Sequence, residues 1–279
     1  MNLLLYLAVL PVIGLGYYIY KKDTHKEPSN LLAKIFGYGC LSVIPIVICE
    51  KLLNTIFPTE GVANGIILFI NVFVSIALVE EGFKWLVTKK FGYNSDSFDE
   101  VYDVIVYAVF ASLGFACIEN ILYVFSGGIG TAIGRALLSI PGHTCFGVLM
   151  GSYLAKAKIA HNNGNNSLYT KNIILSILIP ALGHAAYDFF LMYIQEFEAL
   201  YVLVLFFAFF IALVIYCFNK VKNISTMQQN LTTAVSEGVI KNTNNVVVTT
   251  ESEVTNCPIC GKYVKGFDYC PYCGIKLKK

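Results

Sequence analysis

The chain has 279 residues, of which 56% are hydrophobic and 14% are charged, and its formal net charge is +2. Soluble domains are about 45–50% apolar and about 25% charged, so this composition indicates a polytopic membrane protein. The small net charge gives no indication of nucleic-acid binding. We expect an all-α fold, namely a polytopic transmembrane helix bundle of about seven spans followed by a small C-terminal zinc-ribbon module.

Seven apolar segments are long enough to cross a bilayer core, which requires about 20 residues per helix. They are 3–20, 32–49, 64–87, 101–125, 132–155, 171–195 and 199–218. The first lacks a basic leading region and a small-residue cleavage site, so we expect it to be retained as a helix. Lysines are concentrated in alternate gaps between the segments. The positive-inside rule therefore predicts an N-terminus outside and a C-terminus in the cytoplasm.

The C-terminal region differs in composition from the rest of the chain. Residues 1–222 form the predicted transmembrane domain, and the polar stretch 223–256, rich in Asn, Thr, Ser and Val, is predicted to be a flexible linker. Two Cys-x-x-Cys-Gly motifs follow within residues 257–279, and four thiolates at this spacing are typical of tetrahedral structural zinc. A rubredoxin-like iron site and a reducible disulfide pair are the alternatives. The predicted ligands are Cys257, Cys260, Cys270 and Cys273.

Ionisable side chains lie inside four successive apolar segments, where a charge costs about 2.5–3.5 kcal/mol even on the most permissive insertion scale. Such groups mark functional sites by default, and several of them together predict a polar site within the helix bundle. Since Glu and His are the general acid–base residues of hydrolysis, the pattern favours an intramembrane enzyme. The side chains concerned are Glu80, Glu81, Lys84, Glu119, Asn120, Arg135, His143, His184 and Asp188.

Glu80 and Lys84 are spaced i, i+4 and share one helix face, with Glu81 beside them. A buried carboxylate with a basic neighbour suits proton abstraction from water, whereas a purely structural Glu–Lys pair is the alternative. His184 and Asp188 are also spaced i, i+4, so the aspartate can orient the imidazole or both can bind a substrate group.

His143 follows Pro141 and Gly142, which predicts a local helix distortion and freed backbone groups. Glu119 is either a second catalytic carboxylate or part of a hydrogen-bonded frame. Arg135 is either a lipid anchor or a clamp for a substrate carbonyl. We find no His-Glu-x-x-His motif, no Gly-x-Ser-x-Gly elbow and no phosphate-binding loop.

The order of these motifs resembles that of the PrsW family of intramembrane proteases, related to the CAAX-prenyl and bacteriocin-processing proteases, over about residues 30–195. The matching elements are Glu80-Glu81-x-x-Lys84, Phe98-Asp99-Glu100-x-Tyr102-Asp103, Gly114-Phe115-Ala116-x-x-Glu119-Asn120-x-x-Tyr123, Arg135 to His143, and His184-x-x-x-Asp188. Glu100 departs from the glycine that many members carry, and the cysteine-rich tail is an addition to the minimal family core.

This resemblance implies peptide-bond hydrolysis within or beside a bacterial plasma membrane, on single-span membrane proteins such as an anti-sigma factor. It implies that Glu80 or Glu81 with His143 activates water, while His184 and Asp188 bind the scissile carbonyl. The set Glu, His, His could hold a catalytic zinc, but the related CAAX-type proteases favour a metal-free glutamate mechanism. Because the linker tethers the ribbon apart from the membrane site, we expect its zinc to be structural, with a cytoplasmic protein as the candidate partner of the ribbon.

Two other functions are compatible with part of the sequence. A non-catalytic membrane scaffold that recruits a partner through its zinc ribbon explains the tail but not the buried acids. A proton-coupled transporter explains the buried acids, but it predicts internal repeats that the sequence does not show. Replacement of Glu80 and Glu81 by glutamine distinguishes the two hypotheses, because it would abolish the activity of a protease and leave a scaffold functional.

Overall fold

The computed structural model describes residues 2–236 together with Cys257 and Cys270. Within these residues the chain is helical, without a strand. Three π-helical segments, Phe73–Ala77, Thr88–Tyr93 and Arg135–Ser139, interrupt the α-helices. The α-helices are α1 (Asn2–Lys22), α2 (Ser29–Leu41), α3 (Val43–Asn54), α4 (Gly65–Val72), α5 (Leu78–Val87), α6 (Asp103–Gly134), α7 (Ile140–Asn162), α8 (Asn166–Phe197) and α9 (Val202–Ser236).

Six continuous helical stretches in the described residues are long and apolar enough to span a membrane, whereas the sequence predicts about seven spans. The difference arises in Asp103–Asn162, a 60-residue stretch that would be about 90 Å long if straight, three times the bilayer core. Gly128 inside it has non-helical backbone angles (φ 74°, ψ −158°), which glycine adopts readily. The chain therefore reverses at Gly128 and forms a helical hairpin.

The packing of the hairpin agrees with a reversal at this residue. A Cβ atom on Gly147 would lie 2.8 Å from the Cα of Val109, and one on Gly151 would lie 2.5 Å from the Cα of Ile105. In both pairs the two residues are equally far from Gly128 along the chain. The small glycines thus allow the helices to pack closely, and the two halves of the stretch correspond to the predicted segments 101–125 and 132–155.

Contacts between distant ends of helices support the same arrangement. Ser225, in the second half of α9, donates a hydrogen bond of 2.5 Å to the carbonyl oxygen of Lys22 at the end of α1. The backbone N–H of Val62, before α4, donates to Glu196 at the end of α8 (3.1 Å). The ends of α1 and α9 therefore lie on one face of the bundle. An even number of crossings after α1 is needed to return the chain to this face. A bundle of seven spans meets this condition, and a bundle of six spans does not.

The surface of the bundle is apolar where a bilayer would surround it. Large hydrophobic side chains are exposed on most of the long helices, among them Ile13, Ile44, Ile66, Leu137 and Val204. The buried core contains a large hydrophobic cluster centred on α6 and α7, including Tyr102, Tyr107 and Met150. The protein is therefore an integral membrane protein whose polar centre is enclosed by the helices around α6 and α7.

Helix α9 continues to Ser236 and so includes the first part of the range predicted as linker. Val221 and Ser225 are buried against the bundle (1% and 2% exposed), which explains why the helix persists there. The division into a transmembrane domain 1–222, a linker 223–256 and a ribbon 257–279 stays a prediction. Of the four cysteines predicted to bind zinc, Cys260 and Cys273 lie outside the described residues.

Candidate active site

Glu80, Glu81 and Lys84 form the centre of the polar site on α5. The Lys84 ammonium donates hydrogen bonds to Glu80 Oε2 and Glu81 Oε1, each at 2.8 Å. All three residues are at most 4% exposed, although their helix would lie in the bilayer. The i, i+3 and i, i+4 spacing seen in the sequence therefore produces a buried ion triad, in which one lysine balances part of the charge of two acids.

His184 on α8 faces this triad, and its ring nitrogens lie near three carboxylates. Its Nδ1 is 3.1 Å from Glu81 Oε1 and 3.8 Å from Glu80 Oε2, while its Nε2 is 3.3 Å from Asp188 Oδ2. The ring stacks on Phe146 at 4.7 Å, which fixes its orientation. The predicted His-x-x-x-Asp pair is thus formed, and it brings α8 onto the acids of α5.

His143 on α7 closes the opposite side of the site. Its Nδ1 lies 3.3 Å from the Lys84 ammonium, which can only donate, so Nδ1 accepts there and Nε2 carries the proton. The Nε2–H then donates to Glu119 Oε2 at 2.9 Å. The ring is nearly perpendicular to that of His184, with 5.4 Å between the centroids. The π-helical segment Arg135–Ser139 lies just before Pro141, where the sequence predicts a distortion.

Glu119 and Arg135 are brought together by the hairpin reversal at Gly128. Arg135 Nη2 donates to Glu119 Oε2 at 2.6 Å and its Nε donates to Asn120 Oδ1 at 2.9 Å. Asn120 in turn donates to the carbonyl oxygen of Ala8 on α1 at 2.7 Å. The two roles predicted for Arg135, a lipid anchor and a clamp for a substrate carbonyl, stay predictions. Arg135 joins α1, α6 and α7 beside His143.

One carboxylate oxygen in the centre of the site has no hydrogen-bond donor among the described residues. Glu81 Oε1 receives Lys84 and His184, but Glu81 Oε2 is buried and accepts no hydrogen bond from any residue in the described part of the chain. A buried carboxylate oxygen without a donor is costly, and a water molecule or a substrate N–H would satisfy it.

The sequence of the chain matches the family model described as PrsW family intramembrane metalloprotease over residues 27–214. Proteins named Protease PrsW are similar to it. That of Oceanobacillus iheyensis is 41% identical over 184 residues, which cover 66% of this chain and 80% of the relative. Those of Bacillus subtilis (37% over 185 residues, 66% and 80%) and Clostridioides difficile (36% over 191 residues, 67% and 78%) agree. No solved structure matches.

The chain belongs to the PrsW family. It is accordingly an intramembrane protease, as the resemblance in the sequence implies. The PrsW match covers α2 to α8 and part of α9, and therefore every helix that contributes an ionisable side chain to the site. In the part of the chain that the structure describes, one network of hydrogen bonds and ion pairs contains Glu80, Glu81, Glu119, His143, His184 and Asp188.

The family description raises the question of a metal. Donor atoms of Glu80, Glu81, His143 and His184 lie within 4.8 Å of one another, and two carboxylates with two imidazoles are a donor set that zinc accepts. The Lys84 ammonium, however, already lies between three of these donors. A dication among them would be about 3 Å from this ammonium, a repulsion on the order of 10 kcal/mol at an effective dielectric constant of 20. With Lys84 in this position, the residues do not fit a metal ion.

Glu50 on α3 is a neighbour of the PrsW site that the sequence analysis does not predict. It lies within electrostatic range of Glu80, Glu119, Lys84 and His184, and its Oε1 is buried with no hydrogen-bond partner among the described residues. In the sequence it stands beside Lys51 at the end of an apolar segment and therefore looks like an interfacial residue. Only the packing of α3 against α5 reveals its proximity to the site.

Proposed function

We propose that this PrsW protease hydrolyses peptide bonds in or beside the membrane segment of single-span membrane proteins, by a glutamate mechanism without a catalytic metal. The observation that carries the proposal is the environment of Glu81. One carboxylate oxygen is held by Lys84 and His184, while the other is buried and has no donor among the described residues. This arrangement leaves the second oxygen free to accept a proton from a water molecule that binds there.

In the proposed reaction, Glu81 Oε2 takes a proton from water as the oxygen attacks the scissile carbonyl carbon. The carbonyl oxygen becomes an oxyanion, and the proton is then delivered from Glu81 to the leaving nitrogen as the C–N bond breaks. His184 is the candidate donor to the oxyanion. Its contact with Asp188 is the longer of its two closest contacts (3.3 Å), so the Asp188 carboxylate can move aside and leave the Nε2–H to the substrate oxygen while Nδ1–H stays on Glu81.

The other members of the network hold this geometry. Lys84 balances the charge of Glu80 and Glu81, and His143 fixes Lys84 from the far side through Nδ1. Glu119, bound by Arg135, fixes the tautomer of His143. We therefore assign Glu81 and His184 to the reacting atoms and Glu80, His143, Glu119 and Asp188 to charge balance and orientation.

We further propose that the protein resides in a bacterial plasma membrane with its N-terminus outside and its C-terminus in the cytoplasm. The alternation of lysines between segments supports this orientation. The tail would carry a structural zinc bound by Cys257, Cys260, Cys270 and Cys273 and would dock a cytoplasmic protein. Metal analysis of the full chain and of Cys257→Ser tests the zinc, since one zinc per chain should be reduced or lost in the variant.

The experiment that tests the function is quantitative N-terminal proteomics on host membranes. Cells with the intact protein are compared at matched abundance with cells carrying Glu80→Gln/Glu81→Gln, and with cells carrying Glu60→Gln, an exposed acid outside the site. New termini near the membrane segment of a single-span protein should occur with the intact chain and with Glu60→Gln only. Identical termini in all three would contradict catalysis at this site and favour the scaffold.

A further inference from the structure

A second group of acids lies at one face of the bundle, well away from the protease site. Asp23 and Thr24 belong to the connection after α1, Glu100 lies just before α6, and Asp103 is the first residue of α6. We call these four residues the α1–α6 cluster. Asp103 precedes Glu119 on the same helix by about 24 Å at 1.5 Å per residue, so the cluster is separate from the protease site. Carboxylate oxygens of Asp23, Glu100 and Asp103 lie within 4.8 Å of one another.

The α1–α6 cluster contains an excess of buried acceptors. Both carboxylate oxygens of Asp23, Oε2 of Glu100, Oδ1 of Asp103 and the hydroxyl of Thr24 are buried without a hydrogen-bond partner in the part of the chain that the structure describes. Asp23 is only 4% exposed, and Asp103 is fully buried. Buried carboxylates are normally paired or bound to a metal, because an uncompensated charge in the interior is very costly.

The nearby donors are engaged elsewhere. The Lys26 ammonium donates to the backbone carbonyl oxygens of Tyr20, Lys21 and Asp23 at the end of α1, rather than to a carboxylate. His25 Nδ1 contacts Glu100 Oε1 at 2.6 Å, which leaves Oε2 free. Asp103 Oδ2 accepts from the backbone N–H groups of Asp99 and Glu100, which leaves Oδ1 free. The Asp23 carboxylate also lies near the Lys26 ammonium and the backbone N–H groups of Thr24 and Glu27, but neither of its oxygens accepts a well-aligned hydrogen bond within the described residues.

We propose that Asp23, Glu100 and Asp103 bind one hard divalent cation, Ca²⁺ or Mg²⁺, with the Thr24 hydroxyl as a further oxygen ligand. Oxygen-only ligand sets suit these ions and disfavour softer metals. Ca²⁺ binds oxygen at about 2.3–2.6 Å, so ligands on opposite sides of the ion lie about 4.6–5.2 Å apart. Oxygens that all lie within 4.8 Å of one another are close enough to bind a single ion of this kind.

Such a cation would fix α1 to the start of α6. The other end of the same helix pair is already joined, because Asn120 on α6 donates to the carbonyl oxygen of Ala8 on α1. Occupancy of the α1–α6 cluster therefore stabilises the helix that carries Glu119, without contact to the reacting atoms. The site provides a structural or regulatory cation separate from the chemistry of proteolysis.

The test is thermal unfolding of the full chain in detergent micelles, followed by helical circular dichroism, during titration with CaCl₂ or MgCl₂. The midpoint should rise saturably, by about 5–10 °C at a cation concentration 100 times the Kd. Asp23→Asn should abolish the rise. Asp96→Asn, an exposed acid in the connection before α6, should retain it. The thiolates of the tail do not complicate the titration, because they bind soft metals.

The melting temperature of Asp23→Asn without added cation distinguishes a cation ligand from an ordinary structural residue. Without added cation, Asp23→Asn should unfold at the same or a higher temperature than the parent, because it removes a buried charge that has no hydrogen-bond partner among the described residues. A structural aspartate would give a lower midpoint. The same titration of the Glu80→Gln/Glu81→Gln protein should give an unchanged rise in melting temperature. This result would exclude binding of the cation at the protease site.

Comparison of the two salts shows which cation the site binds. A response to micromolar CaCl₂ but only to millimolar MgCl₂ identifies calcium, and equal millimolar responses identify magnesium. No response to either salt, or a response that Asp23→Asn retains, overturns the proposal. If Asp23→Asn does not fold, Glu100→Gln provides the same comparison, since it removes one ligand from a partly exposed position.

Discussion

Replacement of Lys84 by methionine is the sharpest test of the protease site. The change removes the ammonium that lies 2.8 Å from both Glu80 and Glu81, while methionine keeps much of the volume. Removal of one partner from a buried ion pair costs about 3–5 kcal/mol, because the remaining charge is left without compensation. Two carboxylates lose their partner here, so we expect the upper part of that range.

This loss of free energy of unfolding should be visible as a lower melting temperature. For a chain of this size, about 2–4 °C per kcal/mol converts about 4–5 kcal/mol into a decrease of about 8–20 °C in the Lys84→Met protein. The assay is helical circular dichroism of the purified chain in detergent, combined with cleavage measured by N-terminal proteomics. Glu80→Gln/Lys84→Met should recover part of the stability, since it removes one of the two unpaired charges, but it should remain inactive.

Two results would refute this reasoning about Lys84. An unchanged melting temperature in Lys84→Met would show that the ion triad does not carry its charges in the folded protein. Retained cleavage would show that the ammonium is dispensable, as expected if a metal ion occupied the same space. Lys84→Arg is the matched control, because it keeps the positive charge and should retain more stability than Lys84→Met.

Three further predictions concern residues around the site. Glu50→Gln should change cleavage by less than Glu81→Gln and leave the melting temperature the same or higher, because it replaces a partly buried acid whose Oε1 has no hydrogen-bond partner among the described residues; loss of cleavage equal to that of Glu81→Gln would contradict this assignment. Arg135→Gln should lower the melting temperature by removing the partner of Glu119 at 2.6 Å, at a cost of about 2–4 kcal/mol because the pair is partly exposed; an unchanged midpoint would place the pair at the solvated surface. Truncation after Ser236 should leave cleavage intact, whereas truncation after Lys222 should destabilise the bundle, because it removes Ser225 and its bond to Lys22; equal stability of the two truncations would show that the last turns of α9 are dispensable.

Much of the bundle follows from local sequence properties. Apolar length predicts the spans, and i, i+4 spacing predicts the contacts of Lys84 with Glu80 and of His184 with Asp188, because a helix has only one geometry over that distance. The ordered motifs predict the family, and the family match confirms it. These features depend on residues that are near one another in sequence.

The remaining contacts depend on how the helices pack, which spacing along the chain does not specify. The sequence leaves Glu119 and Arg135 with two alternatives each, whereas in the fold they bind each other across the reversal at Gly128. Glu50 is missed for the same reason, since its neighbours come from other helices. The buried acceptors of Asp23 are likewise invisible in sequence, because aspartate after a helix is normally solvated.

The reversal at Gly128 also bears on how the chain enters the bilayer during synthesis. Glu119 and Arg135 would each carry a large insertion penalty if α6 and α7 left the translocation channel as single helices. Because the hairpin pairs them at 2.6 Å, the two helices can partition into lipid together with these charges already neutralised. Lengthening the turn around Gly128 should therefore impair membrane integration before it affects catalysis.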